Sequence, residues 1–433
     1  MTAQSEPGSP ADGVDKAGNP TLDDVGDKAG KVERLASVAE VVARDLCVGC
    51  GLCEAVTGGR VKMAATPGGS LRPAPTGGFS AEEERAILTA CPGVIAEPRA
   101  DLSLPLDPVW GRCGTMRYAW AADPGVRFVA ATAGVLTALG QHLLAAGEAA
   151  FVLHVGPDPA RPLRTRWVIS STPEDVLANA GSRYGPTAPL AGLGVALDRG
   201  KPFVVIAKPC DLGALHRRAA ADSRINKLVV ARLAMVCGGQ SRLSKSQRLL
   251  DQLGVAEPDV TLIRYRGHGN PGPTRVEARD GQAFEVGYLE LWEDEGTWDL
   301  ETRCKLCPDA LGEAADVAVA DVWPGGAPTG EDEGFSGVIA RSEAGESLLS
   351  RAAADGRIVL GDAIGPRDLD DMQPHQVRKK EALAARYRGM ADAGVPPIAA
   401  RGLRIDEMGH RLTPERAAAQ RRGAADRMRA AGS

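Results

Sequence analysis

Apolar and polar positions along the chain fall into three textures. Residues 1–34 are rich in Gly, Pro, Asp and Ser and almost lack large apolar side chains, the pattern of a disordered leader. Residues 35–112 carry short apolar runs with little sustained period beyond a helix expected over Ala81–Ala90. From about Val126 helical and strand patterns alternate. The helix "GVLTALGQHLLAAG" is followed by the strands "AAFVLHV" and "KPFVVIA", the helix "DLGALHRRAAAD" and the strands "LVVARLAMV" and "DVAVADVW". Such alternation predicts an α/β core with a mixed or parallel sheet and helical crossovers. Beyond Gly365 the chain turns helical, charged and alanine-rich, and Thr413-Pro414-Glu415 opens the last helix with a cap, a first-turn proline and an acidic residue. No repeat at solenoid periods is present.

The chain's 433 residues provide for two or three well-filled cores. A net charge of −5 and an aromatic content of 4% argue against nucleic acid as a partner. The N-terminus lacks the basic and apolar regions of a secretory signal. The longest apolar stretch, Phe128 to Val155, is interrupted by Gln141, His142 and Glu148 and broken by Gly140 and Gly147, so no membrane span is expected. The expectation is a cytoplasmic protein, with a homo-oligomer left open. Nine cysteines in a reducing compartment point to metal binding or catalysis rather than disulfides.

Cys47, Cys50 and Cys53 fall at the C-x2-C-x2-C spacing that wraps an iron–sulfur cluster, but the fourth cysteine that a ferredoxin run places at position 57 is Thr57. The next cysteine is Cys91, followed by Pro92, which reproduces the C-P ending after a long insert. A cluster needs thiolates that converge in space, so Cys91 is the expected fourth ligand. Tetrahedral zinc, which usually takes C-x2-C pairs, is the competing reading. Cys210 lies at a helix N-terminus after an apolar strand, and Cys237 ends another strand before two glycines. Ligands of open α/β sheets bind beyond such strand ends. With the pair Cys304 and Cys307 they form a second expected set of metal ligands, for which structural zinc competes, and Cys113 is left over.

At "IAKPCDLGALHRR", "VCGG", "YRGHGNPG", "CKLCPDALGEAADVAVADVW" and "DEGFSGVIARSEAGESLL" the sequence resembles the beta subunits of coenzyme F-420 hydrogenases and dehydrogenases. Relatives of that family include 7-hydroxymethyl chlorophyll a reductase and a ferredoxin-dependent divinyl chlorophyllide 8-vinyl reductase. The motifs run in order from about Cys47 to Leu360. The resemblance implies FAD and one or two 4Fe–4S clusters. Cys47, Cys50, Cys53 and Cys91 match the N-terminal cluster, and Cys210, Cys237, Cys304 and Cys307 match the cluster beside the flavin. It further implies flavin contacts at Thr132, Ala133 and Gly134, where relatives carry a Ser-Gly-Gly turn, at Ser182, Arg183 and Tyr184, and at Asp321, Gly334 and Ser336. A chlorophyll substrate is not expected, because the insert after the triple cysteine lacks the aromatic-rich stretch of those reductases.

The organisation implied is a leader over 1–34, an iron–sulfur segment over 35–112, α/β units over 113–198 and 199–364, and a helical tail over 365–433. A flavin flanked by clusters reads as a converter between hydride and single-electron chemistry. The expected function is an oxidoreductase linking a hydride partner, coenzyme F-420 or another conjugated substrate, to ferredoxin or a redox catalytic subunit. The alternative is an electron-relay subunit with no small substrate of its own. Among six histidines His268, in a glycine-rich loop, is the candidate acid, and Lys208 before Pro209-Cys210 is a candidate cation near flavin or substrate. "GLGVALD" lacks the third glycine of a dinucleotide fingerprint, so no nicotinamide site is expected.

Overall fold

The computed structural model describes residues 35–431 apart from 75–76, 100–102, 293, 324–327 and 329–333. The expected leader lies outside them.

In chain order the main elements are α1 (Leu52–Val56), α2 (Ala81–Leu88), β1 (Met116–Ala121), α3 (Val135–Ala145), β2 (Phe151–Asp158), β3 (Arg161–Ser170), β4 (Phe203–Ala207), α4 (Pro209–Arg218), β5 (Val229–Met235), α5 (Leu243–Leu253), β6 (Val317–Val322), β7 (Phe335–Ala340), α6 (Glu343–Ala354), β8 (Ile358–Ala363), α7 (Pro374–Asp392) and α8 (Pro414–Ala431). The eight strands form one mixed sheet in the order β8-β1-β7-β6-β5-β4-β2-β3. Pairs β2–β4, β4–β5 and β5–β6 are parallel, and the flanking pairs are antiparallel. The parallel strands read as largely apolar runs, interrupted by Arg232 in β5 and Asp321 in β6, because both faces are covered. Val204, Leu233 and Val317 pack with α3 and α6 on one face. Phe203, Val205 and Ala234 pack with α4 and with Val48, Cys50 and Leu52 on the other. The sheet takes strands from both sides of position 198, so the two α/β units of the sequence share one sheet.

Three features were not expected from the pattern. A separate three-stranded antiparallel sheet, Val260–Arg264, Thr274–Ala278 and Ala283–Val286, packs with α5 around Tyr265 and Val276. Strand β3 forms a hairpin with β2, and β8 closes the far edge of the main sheet. The charged C-terminal helices also contribute to a core. Leu383, Tyr387 and Met390 of α7 and Met428 of α8 share a core with Leu46, Cys47 and Cys91. Among the described residues no helix is long and apolar enough to cross a membrane.

The tail is fastened by buried charge. Lys380 of α7 meets Glu313 at 2.7 Å, and Arg404 meets the other carboxylate oxygen at 2.5 Å. Burial raises the Glu313 pKa, but the two cations hold it below the usual range. Glu313→Gln leaves two buried cations short of their counter-charge and is expected to destabilise the fold by about 3–5 kcal/mol. Arg351→Ala, which removes an exposed pair with Glu148, is expected to cost less than about 1 kcal/mol. Denaturant unfolding of the two variants checks the contrast.

Candidate functional site

The first set of cysteines is assembled by glycine turns. Gly49 (φ 70) and Gly51 (φ 89) separate Cys47, Cys50 and Cys53 and let the loop fold back on itself. A Cβ on Gly51 would lie 2.4 Å from the backbone nitrogen of Ala191, so only glycine fits. Gly93 seats the Cys91-Pro92 turn directly against the carbonyl of Leu46, where a Cβ would approach to 2.6 Å. Cys91 thereby sits beside Cys47, Cys50 and Cys53, each of which feels its charge. Thr57 is the C-cap of α1; its hydroxyl donates to the Cys53 carbonyl at 2.9 Å and accepts from the Val61 N–H at 3.1 Å. Position 57 closes a helix.

The second set gathers where parallel strands end. Cys210 enters the first turn of α4 after β4, and Cys237 follows β5 with its N–H bonded to the Ala310 carbonyl at 2.8 Å. Cys304 and Cys307 flank the end of a short helix, Thr302–Lys305, and Cys304 Sγ accepts from the Gln240 N–H at 3.3 Å. All four line one hollow, together with Val48, Lys208, Gln240 and Arg303. Val48 lies between Cys47 and Cys50, so the two sets share a wall. Among the described residues no group of three His, Cys, Asp or Glu side chains forms a site for a single metal ion.

Charged groups lock the two sets together. Arg72 pairs with Glu301 at 2.7 Å and with Asp45 at 2.8 Å, and Asp45 also accepts from the Thr302 hydroxyl at 2.5 Å. Gln240 Nε2 donates to the Val48 carbonyl at 3.2 Å. Burial pushes the thiols up, Cys47 to about 11 and Cys304 to about 12.

A third group of residues lies at the same end of the sheet. Thr132, Ala133 and Gly134 (φ 48, 56 and 74) make a run of left-handed residues leading into α3. Two of them are not glycine, a strained conformation that surrounding contacts must impose. The Thr132 hydroxyl donates to Asp321, the Ser336 hydroxyl donates to the Thr132 carbonyl at 2.5 Å, and Asp321 pairs with buried Arg266 at 2.5 Å. Asp321 and Ser336 are register partners across β6 and β7. The Arg266 guanidinium lies 5.0 Å from the Tyr288 ring and 5.8 Å from the Trp323 ring. Tyr184, within electrostatic reach of Arg266 and Asp321, packs on Trp292 at 4.5 Å and on Tyr265 at 5.6 Å.

Comparison with known proteins assigns this arrangement to a family. Residues 116–193 match the coenzyme F-420 hydrogenase/dehydrogenase beta subunit N-terminal description. Residues 200–364 match the C-terminal description of the same family. The chain belongs to the F-420 hydrogenase/dehydrogenase beta-subunit family. An uncharacterized protein of Methanocaldococcus jannaschii is 24% identical over 217 residues, which span 48% of this chain and 55% of that relative. The match thus covers about half of the relative's length. A chain of the xenon-derivatised F-420-reducing NiFe hydrogenase complex from Methanosarcina barkeri has a TM-score of 0.51 at 20% identity, covering 68% of this chain and 99% of that one. That likeness is one of fold. The family segments contain Cys210, Cys237, Cys304 and Cys307, whereas Cys47, Cys50, Cys53 and Cys91 precede both.

Within the family fold the expected residues divide. Thr132, Asp321 and Ser336 meet directly, and Tyr184 joins them through Arg266. Ser182 lies beside the Tyr184 hydroxyl. Arg183 turns instead to the Ile263 carbonyl, 3.4 Å away. Gly334 packs against Asn270, which would stand 2.1 Å from a Cβ there. Lys208 is placed in the wall of the second cysteine set, paired with Asp211 at 2.9 Å. His268 is exposed and edge-on to Phe128 at 5.4 Å, and burial and nearby Arg264 and Arg275 push its pKa down. Cys113 stands apart from both sets, its thiol facing the Gly111 carbonyl at 3.6 Å. Sequence reading passed over Arg266, Tyr288, Trp292 and Lys245. Tyr288 and Trp292 share one short helix at i, i+4, while Arg266 and Lys245 lie elsewhere in the chain with no spacing that links them to it.

Lys245 lies 4.0 Å from the centre of the Trp292 ring. Burial and neighbouring Arg248 push its ammonium down from 10.5 to about 8. Below about pH 8 both folded and unfolded chains hold the proton, and burial of the charge disfavours the fold. Between about 8 and 10.5 the unfolded chain holds a proton the folded one has released, so stability rises with pH. Relative to Lys245→Met, the wild type is expected to gain stability between pH 7.5 and 9.5, read as a shift in denaturant midpoint.

Proposed function

We propose that this family member is an iron–sulfur flavoprotein oxidoreductase. It couples hydride exchange at FAD, with coenzyme F-420 or another conjugated substrate, to single-electron transfer through two 4Fe–4S clusters, to or from a ferredoxin-like partner. The observation that carries the reading is the convergence of eight cysteines in two sets of four, the second at the strand ends that also bear Asp321 and Trp323.

The donor sets fit such clusters. Each set offers four sulfurs, and burial makes uncoordinated thiolates unfavourable, so a metal that takes the proton's place suits them. The triple spacing of Cys47, Cys50 and Cys53 suits a cuboidal cluster better than one zinc, which usually takes C-x2-C pairs. Cys47, Cys50, Cys53 and Cys91 would hold the first cluster, and Cys210, Cys237, Cys304 and Cys307 the second.

The third group fits a flavin. The backbone run Thr132-Ala133-Gly134 opens α3, where a helix N-terminus favours a phosphate. Tyr184, Tyr288 and Trp323 supply ring faces, and the Arg266–Asp321 pair supplies a fixed donor and acceptor for polar ring atoms. Bound flavin exchanges hydride with one partner and single electrons with another, while the clusters carry single electrons. The chain's own part is to orient these groups and keep water out. Lys208, held by Asp211, keeps a positive charge in the wall of the second set. To His268, exposed on a glycine loop, we assign the exchange of a proton with an incoming substrate.

A second reading is an electron-relay subunit without a small substrate. It is favoured by the position of the first cysteine set outside both family segments, as an added electron port.

Anaerobic reconstitution separates these readings. The expected product is brown, with FAD and about eight irons per chain. Its flavin bleaches with reduced F-420 and recovers on adding oxidised ferredoxin. Bleaching by reduced ferredoxin but by no small hydride donor, NADH included, favours the relay, and a colourless zinc protein overturns both. Cys91→Ser should halve the iron, whereas Cys113→Ser should leave iron and bleaching unchanged.

A further inference from the structure

A buried guanidinium stands between the two cysteine sets with no role as a ligand. Arg303 is 1% exposed. Its Nε donates to the Pro92 carbonyl at 2.8 Å, one residue beyond Cys91. On its other side it lies within electrostatic reach of Cys307 and Cys210 and lines the hollow of the second set. Cys91 feels the same charge. Among the described residues no carboxylate balances it, and the nearby Tyr387 hydroxyl is occupied as a donor to the Leu306 carbonyl at 3.2 Å.

The neighbouring cations differ. Lys208 is neutralised by Asp211, and Arg72 by Glu301 and Asp45. Arg217 is also buried, but its Nη2 donates to the Ala90 carbonyl at 2.9 Å and its charge faces Cys91 and Cys50. An arginine cannot shed its proton to escape burial. A buried cation without a carboxylate persists where other negative groups complete it. For Arg303 the groups placed to do so are sulfurs on both sides.

We infer that Arg303 is the shared counter-charge of the two cysteine sets and raises the reduction potential of both metal centres held by them. The inference rests on the two-cluster reading above. Arg303 is a positioning residue. Each one-electron reduction adds a negative charge beside its fixed positive one, with no bond broken and no proton moved. Removing the charge therefore makes both reductions harder, because net charge near a cluster is one of the terms that set its potential.

The test is an EPR-monitored redox titration of the reconstituted full chain, with the two signals assigned through Cys91→Ser and Cys304→Ser. Arg303→Gln is expected to lower the equilibrium constant for reduction of both centres by about tenfold, 59 mV for a one-electron step. Arg303→Lys, which keeps the charge, should restore most of the shift. Arg217→Gln should move the first centre alone. Unchanged potentials in Arg303→Gln with full iron content overturn the inference while leaving the two-cluster reading intact. Loss of iron in both Arg303 variants also overturns it, making the residue structural. A wild-type protein without two EPR-active centres defeats the underlying reading instead.

Discussion

Burial raises the thiol of Cys47 to about 11 and that of Cys304 to about 12, because a sulfur anion withdrawn from water loses hydration that nothing nearby fully replaces. Two sets of such sulfurs, packed within one shared wall, leave the surrounding chain a narrow choice. Either the thiols stay protonated, or positive charge is brought in to meet them. The structure brings charge in. Arg72 faces Cys47, Arg217 and Arg303 face Cys91, and Lys208 faces Cys210. Each of these cations is itself buried and must be held. Their anchors are the carboxylates Glu301, Asp45 and Asp211 and the carbonyls of Ala90 and Pro92. Much of the ionic architecture of the interior follows from the need to place sulfur there.

The sheet supplies the other half of the arrangement. Strands β4, β5 and β6 run parallel, so their carboxyl ends fall on one edge, and that edge receives Cys210, Cys237 and Asp321 in turn. Strand β1 runs in the same direction as β6, which delivers the Thr132–Gly134 run to the same place. A ligand crevice at strand ends is a general property of open α/β sheets. What this chain adds is a second layer over the crevice, made by the segment carrying Cys47 to Cys91, with Val48 and Gln240 closing the seam.

Much of this was legible in the sequence where the physics is local. The strands β4, β5 and β6 are mostly apolar because they are covered on both faces. Cys47, Cys50 and Cys53 are read from spacing alone, and Thr57 needed only the observation that Cys91 is followed by proline. Legibility failed where the signal depends on distant partners. Arg303 looks like an ordinary basic residue in "TRCKLC", and nothing nearby in sequence shows that it contacts Pro92, 211 residues earlier. Tyr288 and Trp292 stand one turn apart on a single short helix, but the Tyr184 and Trp323 rings that lie with them come from distant segments of the chain. The strands at Val260–Arg264 and Thr274–Ala278 flank a glycine-rich loop whose composition masks the pairing. His268 stands out by its glycine neighbours, and they do mark a special backbone: its φ is 59 and its N–H donates to the Phe128 carbonyl at 2.7 Å.

One helix ties the three groups to a common frame. The residue capping α7, Gln373, donates to the Asp321 carbonyl at 2.5 Å. One turn on, Gln376 donates to the Cys237 carbonyl at 3.0 Å, and Lys379 donates to the Gly238 carbonyl at 3.2 Å. Further along, Arg386 and Tyr387 donate to the carbonyls of Lys305 and Leu306 at 2.6 and 3.2 Å, and Met390 joins the core that holds Cys47 and Cys91. From Gln373 to Met390 the helix advances about 25 Å at its fixed rise per residue. A rigid rod of that length fixes the spacing between the Arg266–Asp321 group, the second cysteine set and the first. Loops alone could not hold it, since each would add its own freedom at every junction. The buried Lys380–Glu313 pair stands mid-rod, where a slip of one residue would carry every one of these donors to the wrong face of the helix. That placement explains why so costly a buried ion pair is kept in the interior: it sets the register of the helix on which the three groups are spaced.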